Sequence, residues 1–127
     1  MFSQPFQILV VDDNEDNLEL LQFFLEAEGY CVDTAISGKL ALHKIRTTPP
    51  DLVLLDVMMP EMNGYKVTQA IRQEAKLADL AIVLITADAQ ISREQSLQVG
   101  ANDVLSKPID FTSLLTLLNQ WCGARAA

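Results

Sequence analysis

Short apolar runs alternate with helix-like segments along the whole of this 127-residue chain, and this alternation constrains its fold more than any other feature. Five runs are predicted to be strands: FQILVV, YCVDTA, DLVLLD, LAIVLIT and DVLS. Two of them, DLVLLD and LAIVLIT, lack alternating polar positions, as is typical of strands covered on both faces. Strict strand–helix alternation predicts an α/β fold with a parallel sheet and helices on both sides.

Residues that favour helix starts and helix ends mark five helices. The predicted starts are, in chain order, Asp13 or Asn14, Ser37, Gly64 or a near neighbour, Gln90, and Asp110. The first, second and fourth helices are expected to stop at Gly29, the TTPP run from Thr47, and Gly100. The apolar stripes are Leu18, Leu21 and Leu25 in the first helix, Val67, Ala70 and Ile71 in the third, and Phe111, Leu114, Leu115 and Leu118 in the fifth.

Length and composition favour one domain, residues 1–127, with a core from about Phe6 to Trp121 and no effector domain. Half of the residues are hydrophobic, and no repeat or Gly-, Ser- or Pro-rich run divides the chain. The N-terminus lacks the features of a secretory signal, and no apolar run is long enough to span a membrane. Cys31 and Cys122 lack metal-ligand or redox-pair spacing and are interpreted as unpaired thiols in a reducing cytoplasm. We therefore expect a cytoplasmic protein without a membrane partner.

The charge balance argues against direct contact with nucleic acid. Net charge is −8, and the nine Lys and Arg residues are scattered singly among 17 acidic residues. A nucleic-acid-binding surface needs a basic patch to displace counterions from phosphates, and this sequence has none. An influence on transcription would therefore need a partner protein.

Polar residues gather where the predicted strands end, which is the edge of a parallel sheet at which ligands bind. These residues are Asp12 and Asp13, Asp56, Thr86, and Ser106 to Pro108. If the first and third strands are neighbours, three carboxylates converge, and a hard divalent cation such as Mg²⁺ would relieve their repulsion. Lys107 offers a compact positive charge for a phosphoryl oxygen, and Thr86 offers a hydroxyl donor. Each residue alone is ordinary turn, cap or surface chemistry; together they indicate phosphoryl transfer to a carboxylate.

Four motifs occur in order along the chain: VVDDN at 10–14, LLDVMMPEMNG at 54–64, LITA at 84–87 and LSKP at 105–108. Together they resemble the motifs of the receiver domain of response regulators, in the two-component His–Asp phosphorelays of the chemotaxis-regulator type. The resemblance implies a five-stranded parallel sheet of order 2-1-3-4-5 with helices on both faces, a flavodoxin-like doubly wound fold. It also implies a phosphorylated switch that catalyses only its own phosphorylation and dephosphorylation, not an enzyme with other substrates. Because 127 residues leave no room for an effector domain, we expect a single-domain response regulator, with a phosphorelay shuttle or a receiver from a longer chain as the alternatives.

The resemblance assigns Asp56 as the acceptor of a phosphoryl group from a histidine kinase or phosphotransfer protein, or from a small donor such as acetyl phosphate. Asp12, Asp13, Asp56 and the backbone carbonyl of Met58 would hold Mg²⁺ (or Mn²⁺). Lys107 would pair with Asp56, and then with the phosphoryl group.

Further roles follow from the same resemblance. Thr86 would move to hydrogen-bond a phosphoryl oxygen, Ala87 would leave room for that group, and the bond before Pro108 would be cis. Pro60 and Gly64 would shape the loop after Asp56, with Gly64 suited to a positive φ. The phosphorylated state would be read by a downstream protein near the fourth helix, fifth strand and fifth helix.

Two features depart from the pattern or are variable. Many receivers carry an aromatic residue at the position of Val104, three before the lysine, so the usual aromatic part of the switch is in doubt here. Met58 and Asp88 flank the site and would tune dephosphorylation and donor preference, in a direction that the sequence does not give.

The last predicted helix has no charged residue between Phe111 and Gly123. Leu117, Trp121 and Cys122 are surplus to its core stripe, so we expect an apolar contact face for a homodimer or partner, with the fourth helix nearby. The alternative, equally weighted, is that Leu117 and Trp121 edge the core. The single histidine, His43, is expected at the surface.

Three other functions remain to be compared with the receiver. Haloacid-dehalogenase-type phosphatases need an Asp-x-Asp motif, whereas here Asp12 is followed two positions later by Asn14. A flavodoxin needs a first loop rich in Ser, Thr and Gly, whereas the acids from Asp12 to Asp16 would repel a phosphate. A degenerate receiver that works without phosphorylation is disfavoured because all five key residues are present.

Overall fold

The computed structural model describes residues 5–87 and 89–126, with side chains for 5–87 and 93–121. Its strands are β1 Gln7–Val11, β2 Cys31–Ala35, β3 Leu52–Asp56, β4 Ala81–Thr86 and β5 Asp103–Ser106. Its helices are α1 Glu15–Ala27, α2 Gly38–Thr47, α3 Gly64–Arg72, α4 Ala89–Gln98 and α5 Phe111–Ala126. A short 3₁₀ turn, Ala75–Leu77, lies between α3 and β4 and was missed by the sequence reading.

The five strands form one parallel sheet in the order β2-β1-β3-β4-β5. This confirms the predicted α/β architecture, and each predicted strand is found to within one residue at either end. The sequence pattern gave the strands, whereas their order came from the family resemblance.

Two apolar cores cover the two faces of the sheet. In β3, which is fully buried, Leu52 and Leu54 belong to the core shared with α1 and α5, whereas Val53 and Leu55 belong to the core shared with α2 and α3. Successive side chains of a strand point to opposite faces, so an uninterrupted apolar run supplies both cores at once. That is why DLVLLD shows no polar alternation.

Side-chain caps begin the first three helices. The side-chain oxygens of Asn14, Ser37 and Asn63 accept hydrogen bonds from backbone N–H groups three residues further on, at 3.2, 3.1 and 3.0 Å. Asn14 is thus the cap among the two residues predicted for α1. Gly29 and Gly100, which follow α1 and α4, have φ of 96° and 107°, a conformation that favours glycine.

The structure supports the alternative given for α5, in which Leu117 and Trp121 edge the core, whereas the predicted core stripe was wrong at Leu115. Leu117, expected to be surplus, is 6 % exposed and lies in the core with Leu114 and Leu118, whereas Leu115 is partly exposed. Trp121 is partly buried against the same core. Leu114, Leu117, Leu118 and Trp121 are spaced by three or four residues and therefore share one helical face. Leu117 cannot provide an outward apolar contact, and the side chain of Cys122 lies outside the described residues.

Smaller expectations concern the surface and the membrane. His43 is exposed, as predicted, and Cys31 is an exposed free thiol. In the described part of the chain, no helix has the length and apolar character needed to cross a bilayer.

Candidate functional site

The strand register brings the predicted site residues to one edge of the sheet. Val11 pairs with Leu55, so Asp12, the next residue after β1, lies beside Asp56 at the end of β3. Asp56 pairs with Ile85, and Thr86 pairs with Ser106, so the ends of β4 and β5 continue the same edge. Residues more than 90 positions apart in the chain thereby meet at the carboxyl ends of four strands.

Three carboxylates form a compact cluster at this edge. Asp12, Asp13 and Asp56 each offer an oxygen, and these oxygens lie within 4.8 Å of one another. Asp12 and Asp56 are only 5 % and 2 % exposed, whereas Asp13 is exposed. The predicted convergence of the three acids is therefore found, with two of them inside the protein and one at its surface.

Lys107 provides the positive charge of the site. Its Nζ lies 3.0 Å from Asp56 Oδ2 and 3.7 Å from Asp12 Oδ2. The backbone N–H of Lys107 donates to the carbonyl oxygen of Thr86 at 2.8 Å. This hydrogen bond extends the β4–β5 ladder by one residue and fixes the position of the Lys107 backbone. The Lys107–Pro108 bond is cis, as the resemblance implied.

Backbone and amide donors hold the other carboxylate oxygens. The Met58 N–H donates to Asp56 Oδ1 at 3.1 Å, and the Asn14 N–H donates to Asp12 Oδ1 at 2.9 Å. The Asn17 side-chain amide donates to Asp12 Oδ2 at 3.2 Å. Sequence reasoning missed Asn17, although its place in the first turn of a helix that begins at this edge was a usable signal.

Burial and neighbouring charges shift the pKa of the central pair. Burial raises the pKa of Asp56 above its usual value, and the charge of Asp12 adds to this, while hydrogen bonds from Lys107 and the Met58 N–H oppose it only partly. Burial lowers the pKa of Lys107, but its hydrogen bond to Asp56 and the nearby carboxylates outweigh that effect and leave it raised. The pair thus favours a protonated Lys107, whereas ionisation of Asp56 costs free energy because its carboxylate is buried.

The loop after Asp56 is fixed by close packing of Gly64. A Cβ on Gly64 would lie 2.6 Å from the Asp56 carbonyl oxygen and 2.9 Å from Val57 Cα, too close for any side chain. The expectation of a positive φ at Gly64 was wrong: in this loop that conformation occurs at Glu61, with φ of 66°. Gly64 is needed for the close approach of two backbone segments, and it holds α3 against the end of β3.

The remaining predicted residues lie on the β4 and β5 side. Thr86 is 5 % exposed at the end of β4, and Val104 is 6 % exposed in β5, where it pairs with Leu84. Ala87 is exposed, and Asp88 lies outside the described residues. The aromatic position of the family pattern is thus taken by a buried aliphatic side chain.

The donor set fits a hard divalent cation. Carboxylate oxygens are the ligands that Mg²⁺ prefers, and one or two buried carboxylates with open positions for water are its usual protein site. Burial, with a smaller contribution from the charge of Asp12, keeps the pKa of Asp56 raised despite the hydrogen bond from Lys107, so the ionised carboxylate is not fully stabilised by the protein alone. A bound divalent cation would complete that compensation.

Comparison with known proteins points to the family that the sequence motifs resemble. The family described as "Response regulator receiver domain" matches residues 8–119. The response regulator PleD of Caulobacter vibrioides is 47 % identical over 105 residues, which cover 82 % of this chain but 23 % of PleD, so the chain spans about a quarter of that relative. An uncharacterised 14.6 kDa protein of Leptolyngbya boryana is 41 % identical over 118 residues, covering 92 % of this chain and 90 % of that protein.

The fold agrees with solved receiver structures. The receiver domain of the sensor histidine kinase PA1611 from Pseudomonas aeruginosa, solved with a magnesium ion coordinated in its active-site cleft, superposes with a TM-score of 0.86. It is 33 % identical, over 94 % of this chain and 99 % of that one. With the strand order and the clustered acids, these matches show that the chain belongs to the response regulator receiver domain family.

Proposed function

We propose that Asp56 accepts a phosphoryl group in a reaction that depends on Mg²⁺, and that this modification switches a protein-binding surface. The single observation that carries the proposal is the placement of Asp56. Its carboxylate is buried, lies 3.0 Å from Lys107 Nζ and shares a cluster with two further carboxylates. Receiver domains are signalling switches that bind Mg²⁺ through acidic residues and interact with histidine kinases and downstream targets.

In the proposed reaction, an Asp56 carboxylate oxygen attacks phosphorus and forms a new P–O bond. The bond between phosphorus and the donor atom breaks, and the donor keeps that electron pair. Asp12, Asp13, Asp56 and the Met58 carbonyl would hold Mg²⁺, which supplies positive charge against the carboxylates and the phosphoryl oxygens. Lys107 neutralises a phosphoryl oxygen, and the Met58 N–H keeps the Asp56 carboxylate oriented for attack.

Phosphorylation replaces one negative charge on Asp56 by about two and adds three acceptor oxygens. Lys107 and Thr86 gain interactions with these oxygens only in the modified state, so they bias the protein toward a second conformation. The output surface is proposed to be α4, β5 and α5, whose strand β5 leads directly into Lys107. Because the aliphatic Val104 stands where many receivers have an aromatic residue, we propose that Thr86 and the backbone of β4 and β5 carry the shift.

The proposed partners are a histidine kinase or phosphotransfer protein as donor and a different protein as reader. Since Leu117 lies in the core, the homodimer loses its main apolar contact. A single-domain regulator is supported by the Leptolyngbya boryana relative, of which the match covers 90 %. The proposal includes a cytoplasmic location, where the thiols predicted from the sequence stay reduced.

Intact-mass analysis after incubation with acetyl phosphate and Mg²⁺ tests the proposal. Wild type should gain one phosphoryl group, and Asp56→Asn should gain none. Asp79→Asn, which removes an exposed carboxylate on the chain segment before β4, should be labelled like wild type. Equal labelling of wild type and Asp56→Asn would place the acceptor elsewhere. Absence of labelling in both, with no response to beryllofluoride, would favour the degenerate receiver.

A further inference from the structure

The outer strands of the sheet, β2 and β5, pair with another strand on one side only, within the part of the chain that the structure describes. In a parallel pair, alternate residues bond to the partner strand, and the residues between them turn their N–H and C=O groups the other way. The Cys31 N–H donates to the Phe6 carbonyl oxygen at 3.1 Å, so Cys31 faces β1. Val32 and Thr34 lie at the intervening positions, and their backbone groups therefore face the open side of β2.

Two side chains already occupy the outward backbone groups of Thr34. Its N–H donates to Asp33 Oδ1 at 2.8 Å, and its carbonyl oxygen accepts a hydrogen bond from Lys44 Nζ at 2.6 Å. Lys44, which comes from α2, also lies 3.0 Å from the same Asp33 oxygen. Asp33, Thr34 and Lys44 thus form a closed ring of hydrogen bonds on the open side of β2.

A similar arrangement recurs at β5, the other outer strand. The Lys107 N–H bonds to the Thr86 carbonyl oxygen, so by the same alternation the Val104 N–H faces the open side. That N–H donates to Asp103 Oδ1 at 2.8 Å, and Arg93 Nη1 of α4 lies 3.5 Å from the same oxygen. At both edges an aspartate holds the N–H of the next residue and pairs with a basic residue from a helix that contacts the strand.

Stability alone does not explain why ion pairs are kept at these positions. The Asp33 side chain is 66 % exposed, and exposed ion pairs contribute little to the free energy of folding. An uncovered outer strand, by contrast, is a template on which another chain can add a strand. Charged side chains at the edge, lysine above all, are a common means of preventing this.

The open side of β2 is also complementary to itself. In antiparallel pairing about a two-fold axis, Val32 of one copy lies opposite Thr34 of the other, and the two exchange backbone hydrogen bonds in both directions. In that register the two copies of Asp33 lie directly opposite each other, where like charges repel. A second copy of this chain is therefore the partner that the bare edge fits and that the charged edge opposes.

We propose that the Asp33–Lys44 pair holds the edge of β2 closed and so prevents the protein from associating through that edge with a second copy of the same chain. The recurrence at β5 supports this, because two stretches of different sequence, CVDTA and DVLS, reach the same arrangement at the two places where the sheet is open. The proposal is independent of phosphorylation at Asp56.

The double variant Asp33→Ala/Lys44→Ala tests the proposal. It frees both outward groups of Thr34 and removes one acid and one base, so the net charge stays at −8. Association is measured by sedimentation velocity at about 10 to 500 µM protein, where weak complexes form, and at about 0.3 M salt, which screens the repulsion between copies. The association constant should rise at least about tenfold over wild type, because the backbone groups of Thr34 then lack these side-chain partners.

The matched control is Arg46→Ala/Glu74→Ala. It also removes one acid and one base, which form an ion pair with Arg46 Nε 2.8 Å from Glu74 Oε2. Arg46 lies in α2 and Glu74 lies between α3 and the 3₁₀ turn, so neither belongs to an outer strand. This variant should associate no more than wild type.

Val32→Pro, added to the double variant, tests whether association uses the strand edge. Proline has no N–H to donate, and it is tolerated in an edge strand where the N–H faces solvent. The triple variant should therefore return to the association constant of wild type.

Amide hydrogen exchange tests the same arrangement in wild type, without a substitution. The Thr34 N–H is held by Asp33, whereas the Val32 N–H faces the open side of the strand. Thr34 should therefore exchange about tenfold more slowly than Val32 after correction for intrinsic rates. This measurement decides the question if the double variant does not fold.

Association of the double variant alone, with wild type, the control and the triple variant all remaining monomers, would support the proposal. A folded double variant that stays a monomer at every concentration would overturn it. So would equal association of the control, association that survives Val32→Pro, or equal exchange at Val32 and Thr34 in wild type.

Discussion

The helix ends and the carboxyl edge of the sheet use the same residue types, Asp, Asn and Gly, in opposite ways. At the helix ends, Asn14 and Asn63 accept hydrogen bonds from N–H groups three residues away, and Gly29 supplies a positive φ. At the carboxyl edge, Asp12 and Asp56 are buried beside each other, and Gly64 is needed because another backbone segment touches it. The first set acts within one helical turn, whereas the second depends on contacts between segments further apart: Gly64 touches residues seven and eight positions earlier, and Asp12 and Asp56 are 44 positions apart.

This difference shows how the protein separates stability from chemistry. Local caps satisfy backbone donors that the helix leaves free, so each one lowers the free energy of the folded state. The edge instead confines carboxylates that repel one another, and Asp56 keeps a raised pKa despite Lys107. Asn14 belongs to both regions, because its side chain caps α1 while its N–H holds Asp12. The helix caps therefore lower the free energy of the folded state, whereas the buried carboxylates at the carboxyl edge raise it.

The largest effect is expected where a glycine is replaced at the edge. Gly64→Ala would place Cβ 2.6 Å from the Asp56 carbonyl oxygen, which only a backbone shift can relieve. We expect the free energy of unfolding to fall by about 3 kcal/mol, measured by urea denaturation, together with slower phosphorylation of Asp56.

Gly29→Ala is the matched change at a helix end. Nothing lies within 4 Å of the added Cβ, so the cost is only the positive φ of 96°, about 1 kcal/mol. Phosphorylation should be unchanged in this variant. If both substitutions cost the same, close approach at Gly64 is not what distinguishes the two regions.

The second-largest effect is expected at Asp13, the exposed carboxylate of the cluster. Asp13→Asn removes one of three carboxylates within 4.8 Å and should weaken Mg²⁺ binding about tenfold, because cation affinity follows the charge of the ligand set. Isothermal titration calorimetry measures this directly. Asp16→Asn makes the same charge change in the first turn of α1, outside the cluster, and should alter affinity less than about twofold. Equal losses would mean that net charge, not coordination, attracts the ion.

The comparison also explains how much of the fold sequence reasoning could reach. The strands, the caps at Asn14 and Ser37 and the stops at Gly29 and Gly100 depend on residues within a few positions, so local pattern predicts them. The 3₁₀ turn Ala75–Leu77 was missed because three residues carry no periodicity. The inward face of α5 was misassigned because its outer side carries no charge and is marked instead by uncharged polar residues, such as Thr112, Thr116 and Asn119, which are exposed.

The site required more than local pattern. Periodicity placed Asp12, Asp56 and Lys107 at strand ends, but their convergence depends on β1 lying beside β3, an order that the family resemblance supplied. The reason for Gly64 was also out of reach, since its constraint is a contact with Asp56 that only the folded chain creates. An apolar groove between Leu20 of α1 and Phe111 of α5 was missed for the same reason, because its two walls come from residues about 90 positions apart.

A smaller effect is expected at the cap of α3. Asn63→Ala removes the acceptor of the Lys66 N–H, at 3.0 Å, and should lower the free energy of unfolding by about 1 kcal/mol. Gln69→Ala changes an exposed side chain of the same helix and should stay within about 0.5 kcal/mol of wild type. Phosphorylation by acetyl phosphate should be retained in both. A loss of phosphorylation in Asn63→Ala would show that this cap also positions the loop after Asp56.

The smallest effect is expected at Asp110, an exposed carboxylate that lies just before α5 and accepts hydrogen bonds from the first turn of that helix. Hydrogen bonds from the Ser113 hydroxyl and the Thr112 N–H hold the pKa of Asp110 below its usual 3.8. A lowered pKa means that the ionised form favours folding, so this contribution is present above pH 3.8 and is lost as pH falls through the lower pKa of the folded protein. Asp110→Asn removes that dependence. The difference in unfolding free energy between wild type and variant should therefore be constant near neutrality and shrink below pH 3.8. Ser113→Ala should remove most of this pH dependence. A difference that grows on acidification would mean that Asp110, like Asp56, is destabilised by its charge, and the contrast between the two regions would fail at this point.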